Sequence, residues 1–356
     1  MKRRKFTLNE RWQNVLLLIF MALWNLAFFI FGWWKGSWYI GLGMDFAIIV
    51  ILLEHLGRHI PAKKQPLYER ALSIGFPILL LLAWELLVRG GVLKALWFPP
   101  PSQIVRAIWD LSVTYEKFTQ TSLLGRPWLI PSAFRAEGWA GVRALMAESH
   151  VLATLMRVLA GFLLGSIPGL ILGAFMGMNR TVRVMLDPVI SAVYVVPKIT
   201  ILPLMMLIFS PFGETYKIVT VAIAAFFLVL INTMTGVRDI DPVYLEAGRN
   251  YGASGSKLFW HVIIPGALPV IFAGLRLALG TALIVIVAVE FVRAKKGVGY
   301  ITWYYWEVMQ THNMYAGLVV TMILGVLLTL SLQWIQRLVM PWQREERPAV
   351  AEVAEG

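Results

Sequence analysis

Eight stretches of this chain, at about 14–34, 38–56, 70–88, 151–177, 184–208, 216–236, 266–292 and 314–335, are strongly apolar. Each is close to the roughly 20 residues a helix needs to cross a hydrocarbon layer about 30 Å thick. In lipid a crossing segment has to satisfy its backbone polar groups internally, which makes each stretch a transmembrane helix. Composition agrees: 58% of the 356 residues are hydrophobic, mean hydropathy is +0.70, and only 15% are charged, against roughly 25% in a soluble domain. The chain is expected to be an all-α polytopic membrane protein of about eight transmembrane helices.

The net charge of +12 does not point to nucleic acid, because the basic residues lie between apolar runs and not on one water-facing surface. Their placement gives the orientation. One set of loops holds Lys2, Arg3, Arg4, Lys5, Arg11, Arg58, Lys63, Lys64, Arg70, Arg180, Arg183, Arg238, Arg249, Lys257, Arg337, Arg344 and Arg347. The short loops on the other side hold only Lys35, Lys217, Arg293, Lys295 and Lys296. The positive-inside rule puts the first set, with both termini, in the cytoplasm. The basic amino terminus resembles a signal peptide, but the apolar run after it is too long and lacks a small-residue cleavage site, so it reads as a retained helix.

With no cysteine, the chain has no disulfide, thiolate metal site or cysteine nucleophile, and its five histidines show no metal-binding spacing. No cofactor is expected. A polar stretch at 57–69 reads as a linker after a two-helix amino-terminal unit (1–69), followed by a six-helix unit (70–342) and a disordered tail (343–356). In the long 89–150 loop, Pro99–Pro101 followed by Ser102 suggests a capped helix bearing Ile104, Val105, Ile108 and Leu111. It either lies on the outer membrane surface or packs on the other helices.

Within the membrane, Gly161, Gly165, Gly169, Gly173 and Gly177 recur every fourth residue. This stripe allows a neighbouring backbone to come close, or, with Pro168, lets the helix bend or slide. Ionisable residues in lipid demand an explanation. Glu85, Arg157 and Asp187 sit near span ends, where snorkelling or interface anchoring suffices. Lys198 and Glu290 lie deeper, facing either a solute pathway or a structural partner. Pro197 and Pro203 interrupt span 184–208, and Asn232 adds an amide to the next. Lys198, Pro203, Asn232 and Glu290 are therefore the candidate pathway residues, with plain kinks as the alternative.

One polar loop separates spans 216–236 and 266–292. Asp241 and Pro242 suit a helix start, Gly252 a left-handed stop, and Ser254 the cap of a second short helix carrying Leu258, Phe259, Trp260 and Val262 up to Pro265. Two short helices with exposed apolar residues form a knob for another protein's groove. Glu246-Ala247-Gly248, then Gly252, then Val262-x-Ile264-Pro265 resemble the E-A-A-x3-G-x9-I-x-L-P loop of bacterial ABC-importer permeases, with Gly248, Val262 and Ile264 as departures. Arg157-Val158-Leu159-Ala160-Gly161-Phe162, Leu186-Asp187-Pro188, Gly236-Val237-Arg238 and Gly274-Leu275-Arg276-Leu277-Ala278-Leu279-Gly280 extend the resemblance over about 70–342.

These features are similar to the nitrate, sulfonate and taurine group of permeases, which includes vitamin and pyrimidine-precursor importers. Val196-Pro197-Lys198-Ile199 leans toward members for riboflavin or thiamine precursors. The resemblance implies a six-helix type I importer core with two extra amino-terminal helices, in a bacterial plasma membrane. It also implies two such permeases together, two ATPase subunits that hold the ATP and Mg, and an external solute-binding protein. Glu246, Ala247, Gly248, Tyr251, Gly252, Ala253, Leu258 and Phe259 would couple to the ATPase. The chain has no G-x-x-x-x-G-K-[ST] loop, so it is not expected to be an enzyme. Rival readings are an ion-coupled secondary transporter using Lys198 and Glu290, or a non-transporting membrane anchor or sensor.

Overall fold

In a computed structural model, residues 8–33, 38–58, 60–61, 64–116 and 121–345 are described. The basic residues at 2–5, Lys35, Lys63, Arg347 and most of the expected tail lie outside them. Two compact units are present, Met1–Val105 and Arg106–Gly356.

The first unit contains α1 (Leu8–Ile30), α2 (Trp38–Gly57), α3 (Gln65–Arg89) and the start of α4 (Pro101–Val113). Polar pairs join α1 to α2: Asn25 Nδ2 donates to Asp45 Oδ1 at 2.8 Å, and Asn14 Oδ1 lies 2.8 Å from His55 Nδ1. Interhelical bonds of this kind add to packing where lipid supplies no hydrophobic drive. Glu85 is not a free interface anchor. It accepts bonds from the Ser102 amide and hydroxyl (3.0 and 2.7 Å) and from Arg89 (2.6 Å). Ser102, expected as a helix cap, instead lies inside α4, which begins one residue earlier at Pro101.

The second unit continues with α5 (Ile130–Glu137), α6 (Trp139–Ala147), α7 (His150–Met178), α8 (Arg180–Val195), α9 (Leu202–Phe209), α10 (Thr215–Arg238), α11 (Pro242–Asn250), α12 (Gly255–Leu258), α13 (Ile264–Glu290), α14 (Val298–Glu307) and α15 (Thr311–Val339). Six helices among the described residues are long and apolar enough to cross a membrane, and the bent pair α8–α9, taken as one span, makes seven. With the shorter apolar stretch Asn14–Ile30 of α1, the eight expected segments are accounted for.

The glycine stripe explains how α7 and α10 come together. A methyl group on Gly161 would lie 2.6 Å from Val221, one on Gly169 2.8 Å from the Phe226 carbonyl, and one on Gly177 2.7 Å from Val237. At Gly165 and Gly173 it would overlap the carbonyls of Ala222 and Leu230. The matching order of contacts makes the two helices parallel, and α7 runs unbroken through Pro168. On the opposite flank of α10, Gly274 of α13 admits the Asn232 side chain and Gly236 admits Val270, so α13 is antiparallel. Ala224, Ala225, Val229, Ala278, Ala282 and Ile286 fill the seam. Small residues let backbones approach closely enough for dispersion to hold helices together in lipid.

Candidate functional site

At the end of the bundle where α10 stops, the chain forms a two-helix hairpin. Asp241 Oδ1 accepts from the Val243 amide at 2.9 Å, capping α11, with Pro242 in the first turn where its missing N–H is harmless. Gly252 then takes φ +80°. The Ala253 amide reaches back to the Gly248 carbonyl (2.9 Å) and the Gly252 amide to Arg249 (2.8 Å). This pair of bonds is a Schellman stop, which requires the left-handed residue that glycine supplies without strain.

Gly248 has a separate reason. A methyl group there would sit 2.9 Å from Leu258 Cδ1 and Val262 Cγ2, so the small residue is where the two helices of the hairpin touch. Ser254 occupies the cap position of the second helix but makes no side-chain cap bond.

The second helix does not end at Pro265 as expected from sequence. Gly255–Glu290 is one continuous helix of 36 residues, and its turn Phe259–Ile263 is π-helical, with the Ile264 amide bonded to the Phe259 carbonyl. In an α-helix the proline ring would strike the carbonyl four residues earlier, and a widened turn relieves that clash. The second helix of the hairpin is thereby continuous with a membrane span. Glu246, Ala247, Tyr251 and Gly252 are exposed, while Gly248, Ala253, Leu258 and Phe259 are half-buried. Val243, Tyr244 and Trp260 also project into solvent. Sequence reading left Val243 and Tyr244 out of the site, although their position on a short capped helix was a usable signal.

The span at 184–208, expected to be interrupted or kinked at its prolines, is broken. α8 ends at Val195, a short helical turn occupies Lys198–Ile201, and the two halves bend by 89°. Pro197 carries the break, whereas Pro203 sits in the first turn of α9 and frees no mid-helix carbonyl. Lys198 Nζ turns back onto the carbonyls released by the break, donating to Val193, Tyr194 and Val196 at 3.1, 2.8 and 3.0 Å. A cation at a helix C-terminus is favourably placed. Asn232 Nδ2 bonds within its own helix, to the Leu228 carbonyl.

At the opposite end of the bundle, four elements meet in an ion-paired cluster that sequence reading did not assemble. Glu290, the last residue of α13, is 0% exposed. Its carboxylate accepts from Arg157 Nη1 (2.7 Å), Thr154 Oγ1 (2.9 Å) and the Gly299 amide (3.0 Å). Thr154 also accepts from the Val298 amide (2.8 Å), and His150 Nδ1 from the Gly297 amide (3.0 Å). Glu290 thus sits at the start of α14, against amide donors that a helix N-terminus would otherwise leave unpaired. A side chain at 297, where φ is +131°, would fill the place of the carboxylate, and a methyl group on Gly299 would lie 2.5 Å from the Val287 carbonyl oxygen.

Arg157 is buried, contrary to the expectation that it snorkels from a span end, and bridges two carboxylates. Besides Glu290 it donates through Nε and Nη2 to Glu214, and through Nη1 to the Lys296 carbonyl at 2.7 Å. Lys217 Nζ joins Glu214 at 2.9 Å. Partial burial works against ionisation of Glu214, but the bonds from Arg157 and Lys217 outweigh it and hold the carboxyl below its usual range. The signals available in sequence were Glu214 beside Lys217 and the Gly297-Val298-Gly299 run.

A sequence profile of the family described as binding-protein-dependent transport system inner membrane component matches residues 169–345. The taurine transport system permease protein TauC of Escherichia coli is 31% identical over 274 residues, covering 77% of this chain and 90% of that protein. SsuC of the same organism, named for aliphatic sulfonates transport, is 33% identical over 266 residues, covering 75% and 89%. The nitrate import permease protein NrtB of Synechococcus elongatus is 32% identical over 203 residues, covering 55% and 71%. Long apolar helices joined by a capped hairpin of E-A-A spacing, together with relatives matched over 71% to 90% of their length, place this chain in the family of binding-protein-dependent transport system inner membrane components, the permease subunits of ABC importers.

Proposed function

We propose that this permease imports a small solute bearing a sulfonate, nitrate or similar anionic group, delivered by an external binding protein and driven by a separate ATPase. The hairpin carries the energetic part of the reading: exposed Tyr244, Tyr251 and Trp260 on a rigid, solvent-facing knob suit insertion into a partner's groove. Glu246, Ala247, Gly248, Tyr251, Gly252, Ala253, Leu258 and Phe259 form this coupling segment, and ATP and Mg belong to the partner. Its continuity with α13 means that displacement of the hairpin moves a membrane span directly.

Two copies of the permease form the pathway, with both termini in the cytoplasm. Lys198, Pro203 and Asn232 belong to the broken crossing and its neighbour, where irregular backbone borders a path in transporters. Glu290 supports the opposite end of the bundle. The substrate class follows the names of the three relatives, which point to taurine, sulfonates and nitrate, and replaces the lean toward vitamin precursors.

Reconstitution of the permease with its ATPase and binding protein tests this reading. Uptake of ethanesulfonate or nitrate is expected only with ATP and all three components. Uptake by the permease alone, driven by an ion gradient, would establish a secondary transporter instead. Within the same preparation, Gly252→Val is expected to lower substrate-stimulated ATP hydrolysis about tenfold, because a left-handed backbone costs an L-residue roughly 1–2 kcal/mol. No atom lies within 4 Å of the added Cβ, so the effect comes from backbone conformation and membrane insertion is unaffected. Full stimulation in this variant would remove Gly252 from the coupling role.

A further inference from the structure

The basic residues that break the positive-inside pattern are gathered in one place. Of those assigned to the short outer loops, Lys217, Arg293, Lys295 and Lys296 all flank the cluster built on Arg157 and Glu290. The Arg293 guanidinium lies 5.8 Å from the centre of the Phe212 ring, two residues before Glu214, and Lys296 Nζ bonds the Ala147 carbonyl. Of these five cations, counting Arg157, Arg157 and Lys217 are paired with the carboxylates Glu214 and Glu290, and the other three follow Glu290 within six residues of chain. A concentration of one sign attracts counter-ions and raises their local concentration.

The two carboxylates differ in a way that matters chemically. Glu290 is sealed and anchored by Thr154 and the Gly299 amide. The Glu214 side chain is 57% exposed, yet its partners Arg157 and Lys217 are only 7% and 5% exposed. It is a water-accessible anion seated on two cations that water barely reaches. Swinging Glu214 aside would leave Arg157, Lys217 and Glu290, a pocket with one surplus positive charge and a planar guanidinium edge suited to oxyanions. Because both cations are recessed, a small free anion fits this position better than a carboxylate carried on another protein's surface.

We propose that Arg157 and Lys217 form a binding site for the anionic group of the incoming solute at the outer mouth of the permease, with Glu214 as the internal anion that the solute displaces. The site rests on the proposed outward orientation and anionic substrate class. Glu214 keeps the cations paired when no solute is present, and exchange of one anion for another leaves the buried charge balance unchanged.

The test uses the complete importer, permease with its ATPase, in lipid nanodiscs, and titrates nitrate and ethanesulfonate without the binding protein. Glu214→Gln removes the competitor and is expected to tighten binding of both probes about tenfold, the scale of one charged hydrogen bond. Adding Lys217→Met to that variant is expected to abolish the gain. Lys217→Met alone, which leaves both Arg157 ion pairs in place, is expected to raise KM for uptake about tenfold. Unchanged affinity in Glu214→Gln, a gain that survives Lys217→Met, an unchanged KM, or anion binding that appears only with the binding protein present would each overturn the site. Failure of the wild-type importer to take up any anion overturns the substrate class and the site together, whereas anion uptake with unaltered Glu214→Gln affinity overturns the site alone.

Discussion

Gly165→Leu is expected to leave almost no folded permease, measured as the monodisperse fraction after solubilisation and as the thermal unfolding midpoint. Even the first added carbon overlaps the carbonyl oxygen of Ala222, with the Ala222 carbonyl carbon at 2.9 Å and the Phe226 amide nitrogen at 3.0 Å. These are backbone atoms of α10 and cannot turn away as a side-chain end would. Relief requires moving two parallel helices apart, which releases the contacts at Gly161, Gly169, Gly173 and Gly177 together. Overpacking that side chains can absorb costs about 1–3 kcal/mol, and this case exceeds it. Gly280→Ala on α13 is the control, because its Cβ would meet nothing within 4 Å. Equal loss in both variants would show that glycine content, and not the α7–α10 seam, sets stability.

Removing the charge at Arg157 is expected to have the second large effect. Arg157→Met leaves Glu290, with no exposed surface, held only by the Thr154 hydroxyl and the Gly299 amide. Breaking a buried ion pair from one side costs about 3–5 kcal/mol, since the remaining charge is desolvated and unpaired. Glu290→Gln should be milder: a neutral amide still accepts from the Gly299 amide, and Arg157 keeps Glu214. The double variant Arg157→Met/Glu290→Met is expected to be less destabilised than Arg157→Met alone, because no orphaned charge remains. The pair Arg89–Glu85, whose arginine is 66% exposed, gives the contrast: this salt bridge is expected to be worth only about 0–1 kcal/mol. Denaturation curves for the four variants decide the matter, and equal losses for Arg157→Met and Arg89→Met would contradict the burial argument.

The hairpin was readable before any coordinates because its rules are local. Asp241, Pro242 and Gly252 each act on backbone within a few residues, so capping, helix entry and the left-handed stop follow from spacing. The continuation through Pro265 was not readable. A proline usually marks a boundary, and only the widened turn Phe259–Ile263 shows that the helix passes it. The same limit applies at Pro203, which begins a helix here and interrupts none. Helix α14 was missed because ten residues rich in Trp and Tyr, between two spans, carry no apolar run long enough to stand out.

By itself the sequence determined which segments enter the membrane, that one glycine stripe would admit a close neighbour, and which family of permeases the chain resembles. These properties depend on hydrophobicity and on backbone conformation over short stretches. Tertiary structure alone decided that the neighbour is α10, that the interruption of span 184–208 is an 89° bend with Lys198 folded over its exposed carbonyls, and that Arg157, Glu214, Lys217 and Glu290 form one charged unit. Arg157 and Glu290 are separated by 133 positions in the chain, and no local periodicity links them. What joins them is burial: once α7 and α13 pack, each group loses its water, and the partner supplies the hydrogen bonds and opposite charge that water gave.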